Sequence, residues 1–294
     1  MNPATLAVLK WYPANQASKF SLDHFNNPRN MAFDGLHLWV IDSSSGATVK
    51  LRPSDGATVL EIAGRAGYYP CIAFDGANIW ETNSVPGNIT RIRASDGQLD
   101  ERPMGGGPYA VAFDGTNIWV TTQDDNRVHV IQSSTMNVLY SWNSGGTNPV
   151  ALAFDGSCMW VVNQGAAGQN GTVARIDSRG QILGTYAVGV QPLAIAFDGA
   201  NMWVTNHGSN SVTKLDAANG NVIGTFNVCT EPWGVVFDGT CIWVANGGTN
   251  TVRRLALDGS ILGEYQTGVL PCGLAFDGVN VWVANSGEGT ISKL

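Results

Sequence analysis

Charge is scarce in this chain. Only 13% of its 294 residues are Asp, Glu, Lys or Arg, about half the roughly 25% of an ordinary soluble domain. The 16 basic side chains are outnumbered by 23 acidic ones, so the basic excess that a nucleic-acid partner requires is missing. No apolar run approaches the roughly 20 residues of a membrane-spanning helix, and residues 1–12 lack the layout of a signal peptide. A soluble protein without a membrane or nucleic-acid partner is expected. The five cysteines (Cys71, Cys158, Cys229, Cys241, Cys272) never stand as C-x-x-C, which argues against structural zinc, and an odd number closes no disulfide framework. They read as small free thiols in a core, with a single bridge left open.

What the chain has instead is glycine, 36 of them, and repetition. Phe-Asp-Gly occurs seven times, beginning at Phe33, Phe74, Phe113, Phe154, Phe197, Phe237 and Phe276, at spacings of 39 to 43 residues. Six residues after each Phe stands a tryptophan: Trp39, Trp80, Trp119, Trp160, Trp203, Trp243 and Trp282. Nine residues after each Phe the chain reads Asp42, Asn83, Thr122, Asn163, Asn206, Asn246 and Asn285. Each unit parses into four short strands; in the fifth these are PLAIAF, NMWVTN, SVTKLD and NVIGTFNV, with Asp198-Gly199 as a hairpin signal. Four strands in about 40 residues is the unit of a propeller blade. The apolar residues alternate or run in short blocks rather than at helical spacing.

The fold expected is therefore all-β: a seven-bladed β-propeller with four antiparallel strands per blade, spanning 1–294 as a single domain. Its repeats start near residues 28, 69, 108, 149, 192, 232 and 271, and residues 1–27 form a closing segment. The seventh unit stops after its third strand, Thr290–Leu294, so the N-terminal stretch Ser18–His24 is expected to supply the fourth and leave no free edge. Thr5–Leu9 is surplus to that scheme. A lone propeller of this kind is expected to be a monomer.

Architecture accounts for most repeated residues. The Trp and Phe rings are expected between blades, and the Asp residues as turn formers. Setting those seven aside leaves acids and bases balanced at 16 each, so the net charge of −7 says little about partners. Lys50, Arg91, Arg175, Lys214, Arg254 and Lys293 recur on the third strand and are expected to face outward or to pair with turn acids. Trp11, Trp142 and Trp233 lie outside the pattern. Position nine has two readings: a repeated backbone-capping role, favoured for one residue type in five of seven blades, or a polar ring round the mouth of the central channel.

Departures from the repeat point to function, because architecture does not explain them. After the blade-opening proline stand Arg29, Tyr109, Val150, Leu193, Trp233 and Cys272, while the second unit reads Tyr68-Tyr69-Pro70. Glu81 replaces a valine found after the other six tryptophans, the loop Gln164–Gly171 is extended, and His207 and Asp124-Asp125 occupy equivalent loops. The candidate ligand-binding set is Arg29, Asp42, Asn83, Tyr109, Asn163, Asn206, His207, Trp233, Asn246 and Asn285, on the channel-mouth face. Of the four histidines, His24, His37, His129 and His207, only His207 is expected on that face, so no metal triad and no catalytic dyad follow.

The unit, P-x-G/A-hydrophobic-A-F-D-G-x-x-I-W-V-x-N, resembles the repeats of the virginiamycin B lyase (streptogramin lyase) family and its relatives with NHL- and YVTN-type repeats. All seven units share it, from about Pro28 to Leu294. The resemblance implies a seven-bladed propeller, and for that family an Mg²⁺-dependent elimination that opens a cyclic depsipeptide. The chemistry there looks to histidine in P-H-G-I-type segments and to a glutamate after W-F-T. Here no histidine follows the opening proline and position nine is never Glu; Glu81 is the nearest substitute. The expected function is thus non-enzymatic binding or scaffolding of a peptide, protein or glycan, with no catalytic or metal residue assigned and the cofactor unknown; the alternative is a lyase of the streptogramin type. Low charge and plentiful Asn and Trp lean toward an extracytoplasmic setting, where Asn88-Ile-Thr90 and Asn170-Gly-Thr172 are acceptor sequons in a glycosylating host.

Overall fold

The computed structural model describes residues 18–21, 25–64, 71–227 and 229–294. Trp11, His24, Thr5–Leu9 and the Tyr68-Tyr69-Pro70 segment lie outside them. Seven four-stranded antiparallel sheets make up the fold, six of them built from strands in sequence order. The fifth, for example, runs Pro192–Phe197, Asn201–Asn206, Ser211–Asp216 and Val222–Phe226. The seventh takes Ser18–Ser21 from the N-terminal side as its outer strand, with Ser18 opposite Lys293 and Ser21 opposite Thr290. Innermost strands of successive blades touch in order, and the last, Pro271–Phe276, returns to the first, Pro28–Phe33. The seven-bladed propeller closed by an N-terminal strand is the observed fold. Apart from one 3-10 turn at His207–Ser209, no helix occurs among the described residues, and none is long and apolar enough to cross a membrane.

Each Phe-Asp-Gly builds a small hub. The glycines take φ between +90° and +98°, a region that costs glycine little. In blade five Asp198 Oδ1 accepts from the amides of Ala200 (2.9 Å) and Asn201 (2.6 Å), and Oδ2 accepts from the Trp203 indole Nε1–H at 2.7 Å. The indole bond recurs in all seven blades at 2.6–2.8 Å. Turn and tryptophan are thus one motif: the carboxylate satisfies an N–H that would otherwise be buried unpaired.

The core is divided among the joints. Trp39 packs with Ile79 and Ile92 of the next blade, Trp80 with Ile118 and Val120, and so on round to Trp282, which packs with Leu38, Val40 and Val49 of blade one. The third-strand cations differ from expectation. Lys50 is buried, and in six blades the cation lies over the blade's own tryptophan, 5.0–5.8 Å from the ring centroid. Five of them also donate to a carbonyl of the following blade: Lys50 to Ala94 (2.7 Å), Arg91 to Ser133 (2.8 Å), Arg175 to Ala218 (2.9 Å), Lys214 to Leu257 (2.6 Å) and Lys293 to Pro53 (3.1 Å). Pairing with the turn acid is the looser contact, 3.8 Å from Lys50 to Asp34. Blade three has Val130 there, and Trp142 packs against Trp119 instead, 5.5 Å between centroids.

Trp142 is therefore architectural after all. It belongs to a set of outer-strand rings stacked on the blade tryptophans: Phe20 on Trp282, Tyr186 on Trp160, Phe226 on Trp203 and Tyr265 on Trp243, at 5.1–5.8 Å. All five cysteines are free thiols, four of them buried.

Candidate functional site

The innermost strands open on a proline and then slip register: between Pro28 and Asn30, Pro108 and Val111, Pro149 and Ala151, Pro192 and Ala194, Pro232 and Val235, and Pro271 and Leu274. Such bulges re-aim side chains and often flank binding sites. Here the residues within and just beyond them surround a central cavity of about 220 Å³ at the channel mouth.

Three of the expected residues meet there, and a fourth, His207, packs against one of them. Arg29, Tyr109 and Trp233 line the cavity. The Arg29 guanidinium lies 5.3 Å from the Trp233 ring centroid, and the His207 ring meets Trp233 edge-on at 5.2 Å and 66°. Residues from blades one, five and six thus form one arc, with Tyr109 contributed by blade three. The Trp233 Nε1–H and His207 Nδ1 are both buried without a hydrogen-bond partner among the described residues. Between the polar groups the lining is aliphatic, with Val150, Leu193 and Leu274 among it.

Two thiols complete the wall. Cys71 accepts from Asn30 Nδ2 at 3.3 Å, and burial pushes its thiol up to about 12. Cys272, also raised by burial, donates to the carbonyls of Pro28 (3.4 Å) and Arg29 (3.3 Å). Both stay protonated at neutral pH and carry no charge.

The position-nine residues sit at the level of the mouth, opposite the opening prolines in register, but do not line the cavity. Asp42, Asn83, Asn163, Asn206, Asn246 and Asn285 are no more than 1% exposed. Their groups turn into the blade. Asn206 Nδ2 donates to Ser211 Oγ (3.1 Å) and Thr213 Oγ1 (2.9 Å), and its Oδ1 accepts from the Gly189 amide. Asn83 donates to Thr90, Asn246 to Thr251, and Asn285 to Thr290 and Ser292. Asn163 donates to the Ser144 carbonyl. Asp42 accepts from the Asn26 and Asn27 amides and from those of Ser44 and Ser45. The ring staples its strands to neighbouring strands and loops, Asn206 reaching back to the outer strand of blade four, rather than presenting amides to the channel.

Sequence reasoning missed two threonines. Thr82 Oγ1 accepts from the Cys71 amide and donates to the Tyr109 carbonyl at 2.6 Å. Thr205 Oγ1 accepts from the Ala194 amide and donates to the Trp233 carbonyl at 2.7 Å. Both are fully buried, and each pins the aromatic residue of the following blade at the mouth. Their position, one before the Asn, varies through Ile, Thr, Val and Ala, which hides the role.

The fold is that of the streptogramin lyases. A catalytically inactive virginiamycin B lyase from Staphylococcus aureus with quinupristin superposes with a TM-score of 0.80 at 20% identity, covering 95% of this chain and 98% of that one. A streptogramin B lyase superposes at 0.79 and 20% identity, covering 95% and 96%. Hydrazine synthase from Kuenenia stuttgartiensis does so at 0.80 and 16%, covering 94% and 97%. No protein-family profile and no curated protein sequence matches the chain. At such identities the likeness carries the fold and leaves the chemistry to the residues.

Those residues do not suit the Mg²⁺ that the resemblance implies. Mg²⁺ takes hard oxygen ligands, carboxylates above all, and the cavity lining offers an arginine, two neutral thiols and no carboxylate. No three His, Cys, Asp or Glu side chains gather as a metal site among the described residues. Glu81 is buried between blades one and two, where Thr48 Oγ1 donates to its Oε1.

Proposed function

We propose that this protein is a non-enzymatic binding or scaffold propeller that takes a peptide, protein or glycan at its channel mouth. The observation that carries this reading is the convergence of Arg29, Tyr109 and Trp233, departures from the repeat, on one cavity, with His207 packed edge-on against Trp233. An indole whose N–H is buried without a partner, beside an imidazole in the same condition, supports a ligand that supplies an acceptor. The position-nine residues serve the site from inside the blades, holding the loops that frame it. The lyase reading is disfavoured because neither a histidine nor a glutamate stands where that chemistry needs a base.

Peptide and glycan arrays probed with wild type and with the Trp233→Ala/Tyr109→Ala double variant test the reading. A ligand held by wild type should be lost by the variant at an unchanged melting temperature. Equal binding by both proteins places the site elsewhere. Opening of a streptogramin B ring at enzymatic rates with Mg²⁺ would overturn it in favour of the lyase.

A further inference from the structure

Blade three departs from its neighbours beside the mouth. In blades two, five and seven the position-nine asparagine donates to a hydroxyl seven residues on: Asn83 to Thr90, Asn206 to Thr213 and Asn285 to Ser292. Blade three has Thr122 and His129 in those places. Thr122 Oγ1 donates to Asp125 Oδ1 and stands 3.0 Å from His129 Nε2. A hydroxyl has one proton to give, so with that proton on Asp125 the imidazole is the donor. The chain runs from His129 Nε2–H to Thr122 to Asp125, and in the neutral ring it fixes the Nε2–H tautomer.

Its far end meets the segment that carries Tyr109. Gly105, Gly106 and Gly107 follow one another at φ +69°, +65° and +62°, a conformation that glycine enters freely but has no preference to keep. The loop after Thr122 brackets this run. A Cβ on Gly106 would stand 3.2 Å from Asp125 Oδ1, and one on Gly107 3.1 Å from Asp124 Oδ2. The Asp124 and Gln123 amides donate to the carbonyls of Gly106 (2.9 Å) and Gly107 (3.1 Å). Pro108 and Tyr109 come next. We infer that His129 is a positioning residue for the mouth: through Thr122 and Asp125 it sets the glycine run that aims Tyr109, and it releases that run on taking up a proton. Whatever the mouth binds, this relay acts on its wall.

The surroundings of the imidazole decide the direction. Burial holds it below the ordinary histidine value, Asp125 opposes that, and Arg127 adds to it. The second strand, Asn117–Thr122, brings no titratable side chain, and the outer strand, Val138–Asn143, only Tyr140. From blade two, Glu101 and Arg102 stand on the strand Leu99–Pro103, with Arg102 tied to the Met136 carbonyl and to Asn137. A base that holds its proton less firmly when buried favours, once protonated, the state that exposes it. The hold is complete above about 6.5, the value of a solvated histidine, and is lost as pH falls from there through the native value.

Hydrogen exchange followed by mass spectrometry at pH 7.5 and 5.5, each corrected for the intrinsic chemical rate, tests this without a ligand. Protection of residues 105–109 should fall about threefold or more at the lower pH, while the equivalent connection of blade seven, residues 268–272, keeps its protection. Threefold in one local equilibrium moves the melting temperature of a chain this long by only about 2 °C, so the loop reports the change and the melt stays level. His129→Gln keeps an N–H donor and cannot titrate, so its loop should be equally protected at both pH values. Thr122→Val cuts the relay at constant size and should lower protection at both. Equal protection of wild type at the two pH values overturns the proposal, as does a pH effect that survives His129→Gln. Should the variants fail to fold, NMR of wild type decides: the His129 ring and the Tyr109 amide must titrate with one midpoint, and separate midpoints overturn it. Arrays that yield no ligand leave this result untouched, and a loop indifferent to pH leaves a ligand found on them in place.

Discussion

The aspartate of each Phe-Asp-Gly receives two turn amides and an indole N–H within five residues of chain, and its acid-base behaviour follows from that company. Burial alone would raise these carboxyls. The indole and turn-amide bonds outweigh it and hold Asp34, Asp75, Asp155, Asp198, Asp238 and Asp277 below the ordinary carboxylate value. A carboxyl that is more acidic in the native state binds fewer protons there than in the unfolded chain, so its contribution is complete above the unfolded value of about 3.9 and disappears as pH falls through the native value. Six such sites act in the same direction. The melting temperature should be level from neutral pH to about 5 and fall steeply below about 4, with proton uptake on unfolding. A profile flat to pH 3, followed by circular dichroism, would contradict this. The identities at position nine were legible as a ring in the sequence, but the direction of the side chains was not. The extra residue at each opening-proline slip lies on the innermost strand, where it re-aims side chains such as Leu193 and Trp233 at the cavity without any mark in the composition.

Among the strands, the fourth is the one the sequence concealed. Its stacked rings vary in type, Phe20, Trp142, Tyr186, Phe226 and Tyr265, and in distance from the blade tryptophan, so no fixed spacing exposes them. They are fixed instead by what lies above. The Tyr186 ring sits under Gly220 of the following blade, where any Cβ would overlap it, and Tyr186 Oη donates to the Asn219 carbonyl at 2.9 Å. Gly220 also has φ +82°. Gly220→Ala should therefore destabilise by about 2–4 kcal/mol, combining backbone strain with overpacking. Adding Tyr186→Ala should recover the overpacking part and leave the strain, so the two effects will not add. Urea unfolding of the single and double variants measures both, and strict additivity would show that the ring and the glycine do not meet. The first and second strands, by contrast, were read from sequence nearly to the residue, because Asp-Gly turns and β-branched runs are local signals.

For the ring as a whole, the decisive element is the short N-terminal strand. Phe20 stacks on Trp282 and lies under Gly56, so it performs for blades seven and one what Tyr186 performs for blades four and five. Deleting residues 1–24 strips blade seven of its outer strand and uncovers Trp282. The loss of stability should exceed the roughly 1–2 kcal/mol of an ordinary point change; a calorimetric melting temperature that stayed put would refute closure by this strand. The closing role could be read from the incomplete seventh unit, whereas the aromatic contact that secures it could not. The main packing contacts of the joints share one direction: a blade's tryptophan packs on the next blade, five of the third-strand cations donate to the next blade's carbonyls, and Phe20 and Tyr186 lie under a glycine of the next blade. Joints of that kind are head-to-tail, and head-to-tail contacts between separate molecules propagate without limit unless rotation brings the last face to the first. What separates this protein from a filament is the wedge angle of a blade.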